Sequence, residues 1–504
     1  MLTEIDHKQL LGLEMVIHGG RPLRGTINIS GSKHSALHIL GAILLRDGEY
    51  LFEDFPAICD TLEVLQIYRS MGVTTHLQPR KARITVDQSE FCYKEQELYR
   101  AGHLRSSILL LGSLLARHGY VSTPVPSGDD FGSRPIDEFL AILDAFGIRY
   151  RYGEGRIQAT LVKPLEGDRI IRLDAVGDKC PGNNRTALAI ILAAANRGKT
   201  TIVAPLETLE TSELLAFLEK CGVIVALAVL SDTKMSGHHS AQAVTCRVID
   251  IYSGGIAEFR KSTGMVRHTL APDKCELIFW ACAAGLTDGS INCHINAESA
   301  GRYSCPLRMG RAASRYLQPL GISAAMWNTG ISPNTRSEVP IESYRIQPDG
   351  AETPDRGAVI TFASKNDPSP IDIVVGYYNR DEEEGIIADA FPQLIPLMMA
   401  ATGQSTYTDR KFGAARLRTY WDLLGLSREE SAEQSSTSDT IEIRGGHRFC
   451  PGEHVARNIR DGAAKLLYSL RAPGRSKLVE LRHVLRGYES MADKLRSVGA
   501  HIDD

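Results

Sequence analysis

The 504-residue sequence predicts an α/β fold built from six repeats of a two-helix unit, grouped as two domains of three units each. Three observations predict this fold: a recurring glycine at helix ends, a second glycine series that follows apolar helical stretches, and polar insertions between units. A chain of this length is too long for one ordinary hydrophobic core, so two large domains are expected.

The first observation is a glycine that closes six amphipathic helical stretches, in most cases before a short apolar run. The stretches are YRSMGV, LDAFGI, LEKCGV, LQPLGI, WDLLGL and LRSVGA, and their glycines are Gly72, Gly147, Gly222, Gly321, Gly425 and Gly499. Glycine adopts the left-handed conformation at low cost, so this pattern is typical of a helix end followed by a strand.

The second observation is a glycine that follows a small-residue, apolar stretch such as SALHILGAILL, TALAIILAAAN or ELIFWACAAG. These glycines are Gly48, Gly119, Gly198, Gly289, Gly403 and Gly474. A helix that is apolar nearly all round is usually buried on every side. Each unit is therefore predicted as buried helix, strand, amphipathic helix, strand. The alternative is that each glycine marks an unrelated helix–strand junction, but six pairs at similar separation favour a repeat.

The third observation is the position of the polar insertions. The stretch SDTKMSGHHSAQ at 231–242 separates three units from three. A longer one, WNTGISPNTRSEVPIESYRIQPDGAETPDRG at 327–357, lengthens the later units and is rich in Gly, Pro and Ser, as loops require. Three units per domain is the simplest arrangement.

Composition excludes several classes of protein. The chain has 57 basic and 60 acidic residues, a net charge of −3, so nothing indicates a nucleic-acid partner. Ten cysteines without a CxxC pair predict neither a zinc ribbon nor a disulfide framework, and no metal constellation is evident. The N-terminus lacks the pattern of a signal peptide, and SSILLLGSLLA is shorter than the ~20 residues that span a bilayer. We expect a cytoplasmic protein with reduced thiols and no membrane partner.

Several stretches resemble the enolpyruvyl transferases, the family of 5-enolpyruvylshikimate 3-phosphate (EPSP) synthase and UDP-N-acetylglucosamine 1-carboxyvinyltransferase. They are INISGSKHSALHILGAILL, HLRSSILLLGSLLARHG and PSGDDFGSRPID in the first half, and HVLRGYESMADKLRSVGAHI at the C-terminus. Between about 225 and 445 the resemblance is thin.

The resemblance implies a two-domain inverse α/β barrel-like fold, with three βαβαββ-type units per domain and the active site in the interdomain cleft. Residues 25–258 would form the first domain. Residues 1–24 plus 259–504 would form the second domain, closed by the N-terminal strand.

The resemblance also implies transfer of the enolpyruvyl group of phosphoenolpyruvate to a hydroxyl, a reaction that needs no cofactor. Cations must hold the phosphate and the carboxylate, and arginine binds such groups bidentately. Lys33 matches the family's phosphate-contacting lysine, and Arg105 and Arg134 match two cleft arginines of the sugar-nucleotide enzymes. Arg460 and Arg486 match the contribution of the second domain. The alternative for any single arginine is a surface ion pair.

Three further positions carry expectations. Asp389 in GIIADAFPQ falls where the family has an aspartate near the acceptor hydroxyl, although it could instead be a helix cap. His34 stands where the family has a sugar-contacting asparagine. In YTDRKF, either Arg410 or Lys411 is a further candidate phosphate contact.

The loop PSGDDFGSRP places Asp129 where most sugar-nucleotide enzymes carry a reactive cysteine. The resemblance implies that Asp129 is the general acid toward the methylene carbon. An unperturbed aspartate has a pKa near ~3.9, and neighbouring Asp130 together with a dry, closed loop would raise it. The same stretch is also typical of a turn, which is compatible with a lid.

A uridine nucleotide is the expected acceptor. The RPID stretch matches the motif with which the sugar-nucleotide enzymes hold uracil: Asp137 would accept from the ring N3–H, beside backbone groups near Pro135 and Glu138. Lys179 in DKCPGNNRT would lie near the diphosphate, where helix-start amides favour anions. The acceptor is either UDP-N-acetylglucosamine, as in peptidoglycan synthesis, or UMP, as in nikkomycin- and polyoxin-type nucleoside antibiotic biosynthesis.

Two rival classes remain. The RNA 3′-phosphate cyclases have similar repeats but need a nucleotidylated histidine and a basic face, neither of which is evident. A non-catalytic descendant that only binds a nucleotide is the non-enzyme alternative. The joint presence of Lys33, Asp129, Arg134 and Arg486 favours an enzyme, because a binding module has no use for the acid. Oligomeric state and pathway are not predicted.

Overall fold

The fold is described from a computed structural model. It describes residues 12–128, 136–173, 183–232, 244–261, 264–296, 317, 320, 322–328, 339–340, 358–364, 369, 372–375, 389, 391–409 and 440–503.

The first half of the chain alternates strands and helices. In chain order its elements are β1 (Glu14–Gly19), β2 (Arg24–Asn28), α1 (Lys33–Ile43), β3 (Gly48–Glu53), α2 (Cys59–Ser70), β4 (Thr74–Gln78), β5 (Lys81–Val86), α3 (Glu95–Leu98), a 3₁₀ helix (Tyr99–His103), α4 (Ser107–His118), β6 (Tyr120–Pro124), α5 (Asp137–Ala145), β7 (Arg149–Gly153), β8 (Arg156–Thr160), β9 (Arg169–Arg172), α6 (Asn183–Ala195), β10 (Arg197–Val203), α7 (Leu209–Lys220), β11 (Ile224–Asp232) and β12 (Val244–Gly254). The order β2-α1-β3-α2-β4-β5 is one βαβαββ unit, and β9 to β12 form another.

The second half has the same alternation in its described parts. Its elements are α8 (Ile256–Phe259), β13 (Val266–Thr269), α9 (Lys274–Leu286), β14 (Ser290–Ile295), β15 (Ile322–Asn328), β16 (Val339–Pro340), β17 (Ala358–Ser364), β18 (Asp372–Val375), a 3₁₀ helix (Phe391–Leu394), α10 (Ile395–Ala400), β19 (Gln404–Asp409), β20 (Thr440–Arg444), β21 (Glu453–Val455), α11 (Ile459–Arg471), β22 (Gly474–Val479), α12 (Arg482–Leu485), α13 (Met491–Ser497) and β23 (His501–Ile502).

Each of the six units has its own small sheet within the part of the chain that is described. Three sheets belong mainly to the first half, with strand orders β13-β3-β5-β4, β6-β8-β7 and β11-β12-β10-β9. The other three have the orders β16-β15-β17-β14-β2, β18-β19-β20 and β21-β22-β1-β23.

The two halves exchange strands where the chain crosses between them. Strand β2 pairs in parallel with β14 of the second half, and β13 pairs in parallel with β3 of the first half. Strand β1 pairs antiparallel with β22 and β23, so the N-terminal strand completes the last sheet of the second half. These exchanges bring the starts of α1 and α9 to the same place.

The predicted helix ends are confirmed wherever the structure describes them. Gly72, Gly147, Gly222 and Gly499 have φ of 93°, 69°, 102° and 94°, and each directly follows a helix C-terminus. Gly321 and Gly425 lie outside the described residues. Gly289 of the second series differs, because the residue before it, Asp288, takes the left-handed conformation with φ 50°.

The described buried residues form two large hydrophobic cores and a small third cluster of Ala57, Cys59 and Leu62. One core draws on residues 36–270, and the other on residues 15–29, Leu209 and residues 271–502. Every residue of α9 except Gly285 is buried, as the apolar pattern predicts. The chain therefore has a two-domain α/β fold, while the proposed bounds (25–258, and 1–24 plus 259–504) remain a prediction. None of the described helices combines the length and the apolar character needed to cross a membrane.

Candidate active site

Among the helices that the structure describes, five begin with a buried charged side chain in their first two positions. The residues are Lys33 on α1, Asp60 on α2, Glu210 on α7, Lys274 on α9 and Arg460 on α11. Charged groups are seldom buried unless they are paired. Three helices come from the first half and two from the second, and ion pairs between them connect the halves.

Lys33, Asp60 and Arg486 form an ion cluster that joins the halves. The Asp60 carboxylate lies 2.5 Å from Lys33 Nζ and accepts a hydrogen bond of 2.8 Å from Arg486 Nε. Burial would raise the pKa of Asp60, but the two cations outweigh it and hold that pKa well below its usual range. Two cations, one from each half, therefore meet at the Asp60 carboxylate, and a lysine beside an arginine suits an anionic ligand.

The backbone at the start of α1 is fixed from the opposite half. Asp273 caps α9 by accepting from the Glu276 amide at 2.9 Å, and its other oxygen accepts from the Lys33 amide at 3.0 Å. Gly31, just before α1, leaves room for the carbonyl oxygen of Asp54, from which a Cβ would lie only 2.0 Å away. Lys33 is therefore held in place by its backbone as well as by its side chain.

His34, Asp389 and Arg460 form a second group, beside the ion cluster. Asp389 Oδ2 lies 3.8 Å from His34 Nε2 and 3.6 Å from Arg460 Nη2. Arg460 also donates to the Tyr488 hydroxyl at 3.1 Å, which sets its orientation. Burial lowers the pKa of His34 to about 4, although Asp389 and Glu210 oppose the shift, so the imidazole is neutral at pH 7.

Glu210 and Lys274 form a second ion pair between the halves, with Nζ–O distances of 2.9 and 3.2 Å. Burial would raise the pKa of Glu210, but Lys274 and His34 lower it to about 2. The carboxylate therefore stays ionised at neutral pH, and its charge favours the protonated form of His34.

Arg105 and Asp137 lie on either side of the loop predicted to be a lid. Arg105 Nη1 donates to the carbonyl oxygen of Pro126 at 3.0 Å, and its guanidinium lies over the Phe139 ring at 5.0 Å. Asp137 is the exposed first residue of α5. Before the loop, the Ser127 amide donates to the Gly102 carbonyl at 2.9 Å.

The structure thus places Lys33, His34, Asp389, Arg460 and Arg486 in two adjoining groups, and their roles stay predictions. Of the other predicted site residues, Arg105 and Asp137 flank the loop described above, and the rest lie outside the described part of the chain. They are Asp129, Arg134, Pro135, Lys179, Arg410 and Lys411.

Sequence reasoning missed the partners of these groups: Asp60, Glu210 and Lys274. One signal could have found them. In PAICD, ETLE and APDK, a charged residue enters the first turn of a helix directly after apolar or capping residues. A charge at that position on a buried helix needs a partner, and the partner must come from another element.

One group of potential metal ligands occurs among the described residues, away from these helix starts. His18, His501 and Asp503 lie on β1 and at the C-terminal end of β23, with ligand atoms within 4.8 Å of one another. His18 hydrogen-bonds Asp503 at 2.8 Å, and Arg475 lies 3.9 Å from the same carboxylate. These contacts account for the cluster without a metal ion.

Comparison with known proteins gives consistent relatives. The profile of the family EPSP synthase (3-phosphoshikimate 1-carboxyvinyltransferase) matches residues 17–255. UDP-N-acetylglucosamine 1-carboxyvinyltransferase 3 of Symbiobacterium thermophilum is 25% identical over 487 residues, covering 96% of each chain. The UDP-N-acetylglucosamine 1-carboxyvinyltransferase of Desulfovibrio desulfuricans is 26% identical over 489 residues, covering 97% of this chain and 98% of the relative.

Two solved structures share the fold. The enolpyruvyl transferase NikO from Streptomyces tendae superposes with a TM-score of 0.71 at 20% identity, covering 98% of this chain and 99% of that chain. EPSP synthase from Acinetobacter baumannii superposes with a TM-score of 0.62 at 16% identity, covering 98% and 100%.

Proposed function

The chain belongs to the enolpyruvyl transferase family, and we propose that it moves the enolpyruvyl group of phosphoenolpyruvate onto a hydroxyl of a uridine nucleotide. Phosphate is released by addition and elimination. The acceptor oxygen bonds to C2 of phosphoenolpyruvate while the methylene carbon gains a proton. Loss of a proton from the resulting methyl group then expels phosphate and restores the double bond.

The observation that carries this proposal is the ion cluster of Lys33, Asp60 and Arg486. Phosphoenolpyruvate carries a phosphate and a carboxylate, and the cluster offers one lysine and one arginine that both contact Asp60. The arginine comes from the second half and the lysine from the first, so a bound anion would hold both halves together. In a site partly closed to water, such contacts are stronger than at an exposed surface.

The remaining roles follow from position. Asp389, beside Lys33 and His34, lies near the acceptor hydroxyl, and Arg460 holds it in place. Asp129 is the general acid toward the methylene carbon, and Arg134 joins the anion contacts when the lid closes over Arg105. Arg410 or Lys411 adds a further phosphate contact.

The acceptor is UMP or UDP-N-acetylglucosamine. Exposed Asp137 at the start of α5 is available to the N3–H of a uracil ring, next to the backbone at Pro135. Lys179 lies in the stretch before α6 that would meet a phosphate. The curated relatives are named for UDP-N-acetylglucosamine. His34, where those enzymes have an amide, favours UMP because it changes the surroundings of the sugar.

Phosphate release from phosphoenolpyruvate with each acceptor tests the proposal. We expect turnover with UMP or UDP-N-acetylglucosamine and none with shikimate 3-phosphate. Arg486→Gln should lower kcat/KM for phosphoenolpyruvate, whereas Arg475→Gln, at a position 62% exposed, should not. Turnover with shikimate 3-phosphate alone would overturn the uridine assignment. Nucleotide binding by calorimetry without any phosphate release would establish the non-catalytic alternative.

A further inference from the structure

We infer that His34, and not Asp389, takes the proton of the acceptor hydroxyl, with Asp389 serving as the positioning residue for the imidazole. This inference rests on the proposed function and assigns the base within the same site. It depends on the contacts of three side chains: His34, Asp389 and Arg460.

The position of Arg460 makes Asp389 a poor base. The guanidinium lies 3.6 Å from Asp389 Oδ2, the same oxygen that faces His34. The Arg460 side chain is only 5% exposed, so water screens its charge weakly. A buried cation beside a carboxylate stabilises the ionised form and reduces its affinity for a proton. Asp389 is therefore suited to remain charged and to stabilise a cation that forms next to it.

His34 has the complementary properties. Its imidazole is neutral at pH 7, so a nitrogen lone pair is available to a hydroxyl. Its side chain is 24% exposed, which leaves room for contact with a ligand. Four charged groups face it: Asp389 and Glu210 favour the imidazolium, while Lys33 and Arg460 oppose it.

Binding of phosphoenolpyruvate would shift the balance of charges around His34 toward the protonated imidazole. Its phosphate would neutralise Lys33, which removes one of the two cations that disfavour a charged imidazole. The pKa of His34 then rises from its lowered value, and the imidazole becomes a better proton acceptor while phosphoenolpyruvate is bound.

The addition step balances as follows. The acceptor O–H bond breaks, its proton passes to His34, and the oxygen's electron pair forms the bond to C2. The π electrons of phosphoenolpyruvate take a proton from the general acid at the methylene carbon. The charges of Asp389 and Glu210 stabilise the imidazolium, as a carboxylate does in other acid–base sites. His34 can return this proton as phosphate leaves.

The test is a comparison of His34→Asn, Asp389→Asn and the control His76→Asn, whose histidine is exposed on β4. Phosphate release is measured from pH 4 to 9, so that the range includes the lowered pKa of His34, and nucleotide binding is measured by calorimetry. We expect His34→Asn to lower kcat by about 10²–10³-fold, the range of general base catalysis, with nucleotide affinity nearly unchanged. The acid limb of the wild-type pH profile should disappear in this variant, and His76→Asn should behave like the wild type.

Asp389→Asn separates positioning from base catalysis. Because Asp389 raises the pKa of His34, its removal should move the acid limb to lower pH without abolishing it. If Asp389 were the base, this variant would lose the limb and His34→Asn would keep it. An active wild type together with a His34→Asn variant that retains more than half of kcat overturns the inference alone. A wild type that releases no phosphate with either nucleotide overturns the proposed function and this inference with it.

Discussion

Replacing Asp60 with asparagine should destabilise the protein and make its stability depend on added phosphate. The carboxylate is 3% exposed and lies 2.5 Å from Lys33 Nζ and 2.8 Å from Arg486 Nε. An amide keeps the shape of the side chain but removes the negative charge that both Lys33 and Arg486 contact. The change therefore removes the attraction within the cluster and leaves the repulsion between Lys33 and Arg486.

The magnitude follows from the exposure of the two cations. Removing one partner of a buried ion pair costs about 3–5 kcal/mol. The side chains of Lys33 and Arg486 are 10% and 16% exposed, so water can screen part of the charge, and the lower end applies. For a domain of about 150–250 residues, ~3 kcal/mol lowers Tm by roughly 6–12 °C.

Thermal unfolding with and without inorganic phosphate is the assay. Phosphate should raise the Tm of Asp60→Asn more than that of the wild type, because it can replace the missing anion. The control is Asp493→Asn, at a side chain that is 80% exposed, which should leave Tm nearly unchanged. An Asp60→Asn variant that unfolds within about 2 °C of the wild type, or that phosphate fails to stabilise, would refute the assignment of this cluster as an anion site.

The pH dependence of stability has a definite sign at the same residue. The folded-state pKa of Asp60 lies below its usual range, so its contribution is fully present above the unfolded value of ~3.9. The contribution is lost as the pH falls from there through the folded-state pKa. Asp60→Asn should therefore flatten the acid side of the wild-type stability curve.

Three further predictions concern the lid and the helix ends. Asp129→Asn should abolish phosphate release while nucleotide binding by calorimetry stays nearly intact, because an amide cannot donate the proton; substantial turnover would move the acid elsewhere. The epoxide fosfomycin should leave the intact mass unchanged, because a carboxylate is a poorer nucleophile than the thiolate it replaces; a stoichiometric adduct would contradict the alignment of the loop. Gly147→Ala should cost about 1–2 kcal/mol for its left-handed φ of 69°. Gly72→Ala should cost clearly more in denaturant unfolding, because its Cβ would also lie 2.0 Å from the Glu90 carbonyl oxygen; equal losses would contradict this packing.

The helix ends could be predicted from sequence because their cause is local. A residue such as Gly72 adopts a positive φ that other residues adopt at a cost, whatever packs around it. Likewise, α9 is apolar on all sides, so its burial follows from its own residues. The repeating unit followed from these two local rules alone.

The partners within the site could not be predicted, because they depend on how distant elements meet. Asp60 and Arg486 are 426 residues apart, and no local pattern relates them. The spacing of glycines also does not reveal that β2 and β13 pair with strands of the other half. This exchange determines which helix starts face each other. The role of Asp389 was inferred from its position in a motif, whereas its contact with Arg460 emerged only in three dimensions.

Under the proposed function, the buried charges would let the two halves bind a substrate between them and still remain a defined structure. Lys33 with Asp60, and Lys274 with Glu210, place charges of opposite sign at helix starts that would otherwise repel or remain unpaired in the interior. Such pairs contribute little net stability compared with apolar residues, since desolvation offsets most of the attraction. Their value is that they keep ionised groups at fixed positions. In the proposed function, a substrate anion would meet cations that are already in position. Charges fixed in advance can stabilise a transition state without rearranging during the reaction.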